Sequence, residues 1–258
     1  MTMNKISLKR DQWRVTGDKT TIAEICETRS CHASRVTRHL FAFTLIELLV
    51  VISIIGILAG LTFPVMKAVK INQYRKAARA ELGQIETALD NYKAKYGSYP
   101  PGNPNSAVVH QLYYELSGTT MTAIGGVNYF VTLDGSAQIL VSAVNPAFGV
   151  GGFVNCTKPG GDEESARAKN FLPGLKQNRI GTSLTNGVSV ANLITSVKGP
   201  DANYVPIAGA PDVNPFRYTY PGTHNPNSYD LWVQLVISGK TNLICNWSKQ
   251  VQLNSPLP

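Results

Sequence analysis

Between residues 43 and 66 the chain carries one ionisable side chain, Glu47, in a run that is otherwise apolar, small or hydroxyl-bearing, and the run ends at Lys67. A helix needs about 20 apolar residues to cross roughly 30 Å of hydrocarbon, so this run is long enough to span a bilayer. A carboxylate inside it costs on the order of 2.5 to 3.5 kcal/mol on insertion scales, which calls for a partner or for protonation in lipid. The helical pattern continues beyond the run. Ile71, Tyr74, Ala78, Leu82, Ile85, Leu89, Tyr92 and Tyr96 recur at spacings of three and four, with Lys70, Arg75, Lys76, Arg79, Glu86, Asp90 and Lys93 between them. The pattern therefore predicts one helix from about Thr44 to Tyr96, roughly 80 Å long at 1.5 Å per residue. Its first half is suited to lipid and its second to the surface of a folded domain. Gly56, Gly60 and Pro64 should bend or loosen the helix, because proline lacks a backbone donor and glycine is a poor helix former. "GSYPPGNP" should stop it, with Gly97 as its C-cap.

After Pro100 the pattern changes. "SAVVHQLYYELSG" predicts a short helix with Ser106 as N-cap and Val108, Val109, Leu112, Tyr113 and Leu116 on one face. Candidate strands follow in "VNYFVTL", "AQILVSAV", "VSVANLITSV", "FRYTY", "YDLWVQLVI" and "TNLICNW", separated by Gly, Pro and Asn. A small antiparallel sheet packed on the amphipathic half of the long helix would bury its stripe, giving an α+β architecture. Residues 146–173, with "FGVGG", "KPGG" and "DEES", read as a surface loop. The organisation is thus a basic segment over 1–42, a transmembrane half-helix over 43–66, an amphipathic half over 67–97 and a strand-rich globular domain over 98–258.

Charge orients this arrangement. The 258 residues carry a net charge of +8. Eight Lys or Arg against four Asp or Glu lie in residues 1–42, so half of the excess precedes the apolar run. Positive charge flanking a span marks its cytoplasmic side, which predicts a single-pass membrane protein with its first 42 residues in the cytoplasm and its C-terminal domain across the membrane. No basic patch interleaved with aromatics follows, so nucleic acid is not an expected partner. A secretory signal has an apolar region of about 7 to 15 residues and a small-x-small cleavage site, whereas this run is longer and offers only "ILAG".

"AFTLIELLVV" after a basic stretch resembles the type III signal of type IV pilins and type II secretion pseudopilins. The likeness covers residues 36–102 and includes the Phe-Thr-Leu-Ile-Glu order, Gly56 and Pro64 at the fourteenth and twenty-second positions counted from Phe43, and "YGSYP" at the helix end. It implies that a prepilin peptidase cuts between Ala42 and Phe43 and methylates the new amine of Phe43. Ala42 stands where the family usually has Gly; it is the smallest alternative, so cutting is expected but slower. The likeness also implies a role for Glu47, whose carboxylate would meet the Phe43 amine of a neighbouring subunit and set filament register. Opposite charges attract strongly in low dielectric, although desolvation removes much of the gain. The resemblance further implies that the membrane is the inner one and that the C-terminal domain lies in the periplasm. Implied partners are further copies of the chain, the peptidase, an inner-membrane assembly platform and the lipid bilayer. The implied function is that of a type II secretion pseudopilus subunit. A type IV pilus subunit or a non-assembling membrane-anchored binding protein are the other readings.

Residues 212–233, "DVNPFRYTYPGTHNPNSYDLWV", resemble the C-terminal segment of the major pseudopilins. There the family binds calcium in a loop of Gly, Ala, Asp and Gly, but "LVISGKTN" places Lys240 where an acid would be expected. Calcium takes about six to eight oxygen ligands, and Asp230 alone is insufficient, so no cofactor is expected and calcium is disfavoured. The acids Asp162 to Glu164 read as a solvated turn. The histidines His32, His39, His110 and His224 have no metal-ligand spacing, the "FGVGG" and "AIGGV" stretches lack the Lys of a phosphate loop, and no catalytic set stands out, so no enzyme activity is expected. Processing would remove Cys26 and Cys31 and leave Cys156 and Cys245. An even pair in an oxidising compartment favours a disulfide. Closing its 89-residue loop would stabilise the domain by about 4 to 5 kcal/mol in the chain-entropy model. Two separate buried thiols are the alternative.

Overall fold

The structure, a computed structural model, describes residues 44–157, 167–197, 205–237 and 239–254. The basic segment through Phe43 lies outside them. The chain divides into two compact units, one ending at Ile52 and the other beginning at Ser53. In the first, residues 44–52 are exposed throughout. Helix α1, Leu45–Tyr96, begins here and continues into the second unit. Gly97, in the left-handed region at φ 80° where glycine carries no steric cost, ends it by donating its N–H to the Lys93 carbonyl at 2.8 Å.

The second unit is an α+β domain of the pilin-like kind, built around the rest of α1. Beyond α1 the described residues form α2 (Leu112–Ser117) and α3 (Val141–Phe148), and ten strands: β1 (Thr119–Ile124), β2 (Val127–Thr132), β3 (Gln138–Leu140), β4 (Cys156–Thr157), β5 (Ile180–Thr185), β6 (Val188–Leu193), β7 (Arg217–Thr219), β8 (Asp230–Ile237), β9 (Lys240–Cys245) and β10 (Gln252–Leu253). They form sheets of order β3-β2-β1-β4 and β10-β9-β8-β7 and the hairpin β5-β6. All pairings are antiparallel except β1 with β4. An Ile194–Pro215 bridge extends the β6 end toward the β7 segment. Gly125 and Gly126, at φ 58° and 80°, close the β1–β2 hairpin, since a tight turn with two positive φ values admits little else.

The core is laid down by the predicted stripe. Ala78, Leu82, Ile85, Leu89 and Tyr92 are buried, with Ala88 beside them, and Ile71, Tyr74 and Tyr96 pack partly buried against the same cluster. The same core cluster takes in Leu231, Val233 and Leu235 of β8 and Val190 and Leu193 of β6.

Three local expectations are corrected. "AQILVSAV" is a strand only over Gln138–Leu140 and then turns into α3, because Ala143, Val144, Ala147 and Phe148 recur at helical spacing and bury one helical face. Ser106 does not cap α2; its Oγ accepts the Val108 and Val109 N–H groups at 3.2 and 3.1 Å in a turn, and the helix begins six residues later. The described part of 146–173 is not a surface loop, since Phe148, Phe153, Asn155, Cys156, Phe171 and Leu172 are buried in it.

Candidate functional site

At the head of α1 the geometry supplies a partner for Glu47. Thr44 donates its backbone N–H to Glu47 Oε2 at 2.9 Å and its hydroxyl to the same oxygen at 2.8 Å, while Glu47 N–H returns a bond to Thr44 Oγ1 at 3.3 Å. This is a capping box, in which two backbone donors left over at a helix start are satisfied reciprocally by side chains three positions apart. The spacing Thr-Leu-Ile-Glu carries that signature in the sequence, and the reading of Glu47 as a group that waits for a neighbour passed over it. Ile46, Glu47, Val50 and Val51 line a groove of about 300 Å³ beside the cap. Ala42 and Phe43, the expected cleavage and methylation positions, lie outside the described residues.

Further along, α1 continues through Gly56, Gly60 and Pro64 with its helical backbone uninterrupted. A Cβ added at Gly56 or Gly60 would meet nothing within 4 Å, so no packing within the described chain requires glycine there. Thr62 bonds back to the Leu58 carbonyl at 2.7 Å, a device that often bends helices. Together with the missing Pro64 donor, this is the region where the helix is most easily bent.

The amphipathic half is held by polar clamps as well as by its stripe. Arg75 donates two bonds to Asn242 Oδ1, at 2.9 and 2.7 Å, and Arg79 reaches the Cys245 and Ser248 carbonyls at 2.5 and 2.7 Å. Glu81, buried, accepts from the Thr195 hydroxyl at 2.7 Å and from the Ser196 hydroxyl and N–H, with Arg179 Nε 3.7 Å away. Burial pulls the Arg179 pKa down while Glu81 pushes it back up.

A second node lies under α2. The fully buried Glu115 accepts the Val154 and Asn155 N–H groups at 2.8 and 2.9 Å and the Tyr92 hydroxyl at 3.0 Å. Desolvation nevertheless raises its pKa, with those donors opposing the rise. Asn155 in turn accepts from Tyr96 at 2.6 Å and donates to the Glu115 and Lys169 carbonyls, both at 2.6 Å. His110 lies near it in sequence, wholly buried, with Nε2 2.8 Å from the Phe216 carbonyl and Nδ1 accepting the Leu112 N–H at 3.3 Å. A carbonyl can only accept, so the ring is the neutral Nε2–H form, and burial lowers its pKa to about 4.

Asp230 opens β8 and is buried. Its carboxylate accepts the His224 and Asn225 N–H groups at 2.7 and 3.1 Å and the Asn225 amide at 3.0 Å, with His224 Nδ1 at 3.2 Å. The His224 ring stacks on Trp247 with centroids 4.1 Å apart. Asp230 thus ties down its own preceding loop, and Lys240 pairs in register with Ile237 across the β8–β9 hairpin. Among the described residues no group of three or more His, Cys, Asp or Glu side chains could hold a metal ion. Asp162 to Glu164 lie outside them.

The expected Cys156–Cys245 disulfide is corrected: both residues are buried thiols. They belong to different layers. Cys156, on β4, packs in the main core and points its Sγ at the Thr157 carbonyl 3.5 Å away, whereas Cys245, on β9, packs with Trp232 and Leu243 in a separate cluster. Burial raises the Cys245 pKa, which keeps it a thiol.

Comparison with known proteins adds to this geometry. Residues 41–63 match the family described as the prokaryotic N-terminal methylation motif. The chain is 41% identical over 58 residues to the type II secretion system core protein G of Pectobacterium carotovorum subsp. carotovorum, a stretch that is 22% of this chain and 37% of that one. It is 39% identical over 69 residues to the protein of the same name in Escherichia coli K12, covering 27% of this chain and 48% of that one. The Klebsiella michiganensis counterpart is 41% identical over 58 residues, 22% of this chain and 41% of that one. The chain thus spans less than half the length of the curated relatives it matches. No solved structure matches it.

Proposed function

From the premise that this chain belongs with the pilins and pseudopilins through its methylation motif, we propose that it is a structural subunit of a type II secretion pseudopilus. It waits in the inner membrane, leader in the cytoplasm and domain in the periplasm. A prepilin peptidase removes residues 1–42, and the processed chain enters a filament through its long helix. Its work is mechanical, not catalytic, and Asp230 serves its own loop without a metal.

The observation that carries this reading is the continuity of the motif with the helix. Residues 41–63, which match the methylation motif, run directly into the same helix whose later part, from Ala78 to Tyr92, forms the core of the domain. A helix apolar enough to cross a membrane and a domain anchored on its continuation are what a filament subunit drawn from a bilayer needs. The likeness to core protein G favours the secretion apparatus over a pilus fibre. Deleting the gene in its host and assaying both secreted enzymes and surface pili tests the choice. Loss of secretion with pili intact is expected; loss of pili with secretion intact would reverse the assignment.

Glu47 has two uses in this account. Its described bonds all reach Oε2, for the helix cap, and the carboxylate also meets the Phe43 amine of a neighbour. Thr44→Ala removes the hydroxyl half of the cap and keeps the charge, whereas Glu47→Ala removes the carboxylate that both uses need. Filament assembly should survive the first and fail in the second. Equal loss in both would reduce Glu47 to a capping residue.

A further inference from the structure

From residue 48 to residue 80 the chain holds no acid and five bases, Lys67, Lys70, Arg75, Lys76 and Arg79. All five follow the apolar run directly. Lys67, Lys70 and Lys76 are exposed, and among the described residues none of them makes a salt bridge. Arg75 and Arg79 are held, but by neutral acceptors: an amide oxygen and two backbone carbonyls satisfy their N–H groups and leave their charge uncancelled. Arg79 also feels the field of Glu86 further along the helix. Three loose cations are thus backed by two fixed ones.

Helix geometry places them. At 1.5 Å per residue, Lys70 lies about 5 Å beyond Lys67 along the axis, Lys76 about 14 Å and Arg79 about 18 Å. At about 100° per residue, Lys67 and Lys70 are some 60° apart around the helix and Lys76 is opposite Lys67, so the charges form a collar and not a stripe. The polar layer of a bilayer adds roughly 5 to 8 Å on each side of the hydrocarbon, which takes in Lys67 and Lys70. The Debye length is about 8 Å at physiological salt, so Arg75 and Lys76 still act on that layer. In the orientation proposed above the collar is on the translocated side, where Lys and Arg next to a span oppose insertion. That cost is offset if the cations find counter-charges there.

We infer that Lys67 and Lys70, supported by Lys76 and the two anchored arginines, bind anionic phospholipid headgroups where the apolar run ends. The inference rests on the membrane reading of residues 43–66. The collar selects a shell of negatively charged lipid around each waiting subunit and holds the helix at a fixed depth. Lipid is the occupant the observations favour, because the cations begin at the residue where the apolar run stops.

The test reconstitutes the full chain into phosphatidylcholine vesicles doped with spin-labelled phosphatidylglycerol or, separately, spin-labelled phosphatidylcholine, and measures the immobilised fraction of each. Carbonate-resistant insertion is scored in parallel. The expected result is a preference for phosphatidylglycerol of roughly fivefold per engaged lysine at low salt, which falls with added salt and collapses in Lys67→Gln/Lys70→Gln while insertion persists. Equal immobilisation of both lipids with normal insertion would overturn the inference and leave the membrane reading standing. Failure to insert would overturn both. Self-association lost in the double variant, with no lipid preference, would assign the collar to acids of a second copy and overturn the lipid assignment.

Discussion

Residues 45–61 and residues 78–92 belong to one helix, yet their apolar side chains meet opposite fates. In the first stretch every Leu, Ile and Val is 44 to 81% exposed; in the second the core positions Ala78, Leu82, Ile85, Ala88, Leu89 and Tyr92 are 2% exposed or less. The difference is one of pattern and not of hydrophobicity. The second stretch alternates apolar and charged positions at helical spacing, so one face can be buried by a sheet and the other left to water. The first is apolar all round, and no single domain face can cover it. A helix apolar on every side needs a surrounding medium, which in the function proposed above is lipid or the helices of other subunits. One continuous element therefore obeys two sets of rules.

The sharpest way to break this comparison is to truncate an apolar side chain in each stretch. Leu82→Ala should destabilise the domain by about 2 to 5 kcal/mol, because it opens a cavity in a closed core. Ile54→Ala, at an exposed position, should leave the unfolding midpoint of the domain within about 0.5 kcal/mol of wild type. Urea denaturation of the detergent-solubilised chain reads both. Similar losses would mean that the first stretch also depends on contacts within the chain.

A smaller effect separates the two stretches by pH. His110 is buried neutral, with its pKa lowered from 6.5 to about 4 by burial, so the unfolded chain binds a proton more readily than the folded one. Its contribution is complete above about pH 6.5 and is lost as pH falls toward 4, roughly 3 kcal/mol in all. Stability measured across that window should drop in wild type more steeply than in His110→Gln. The helical content of residues 45–61 should not follow it.

Much of this was legible beforehand. The long helix and its stripe follow from periodicity, its stop from the Gly and Pro cluster after Tyr96, and the strands β2, β6, β7, β8 and β9 from β-branched and aromatic runs bounded by Gly, Pro and Asn, β8 being buried along nearly its whole length. What escaped was set by tertiary contacts. The strands β1 and β5, "TTMTAI" and "IGTSLT", are rich in small polar residues and owe their state to hairpin pairing with β2 and β6. The turn of residues 141–148 into a helix was masked by two Val residues that favour strands. At the site, the capping box was readable from Thr44 and Glu47 alone, whereas the separation of Cys156 from Cys245 depends on which sheet each strand joins, and spacing holds no such information.

The cysteines sharpen the account at modest cost. Thiol labelling of the processed chain under denaturing, non-reducing conditions should find two reactive thiols, and reductant should leave the unfolding midpoint of the domain unchanged. No labelled thiol until reductant is added would restore the bridge. Smaller still is the cap: Thr44→Ala should fray the start of α1 at a cost of about 1 kcal/mol, visible as faster amide exchange over residues 45–48 and nowhere in the domain.

The central claim is that residues 43–66 serve assembly after processing while the rest of the helix serves the fold. Filaments sheared from cells and examined by mass spectrometry test it most directly. The account predicts the chain in the filament fraction with an N-terminus at a methylated Phe43. A chain confined to the membrane fraction and still bearing residues 1–42 would contradict it.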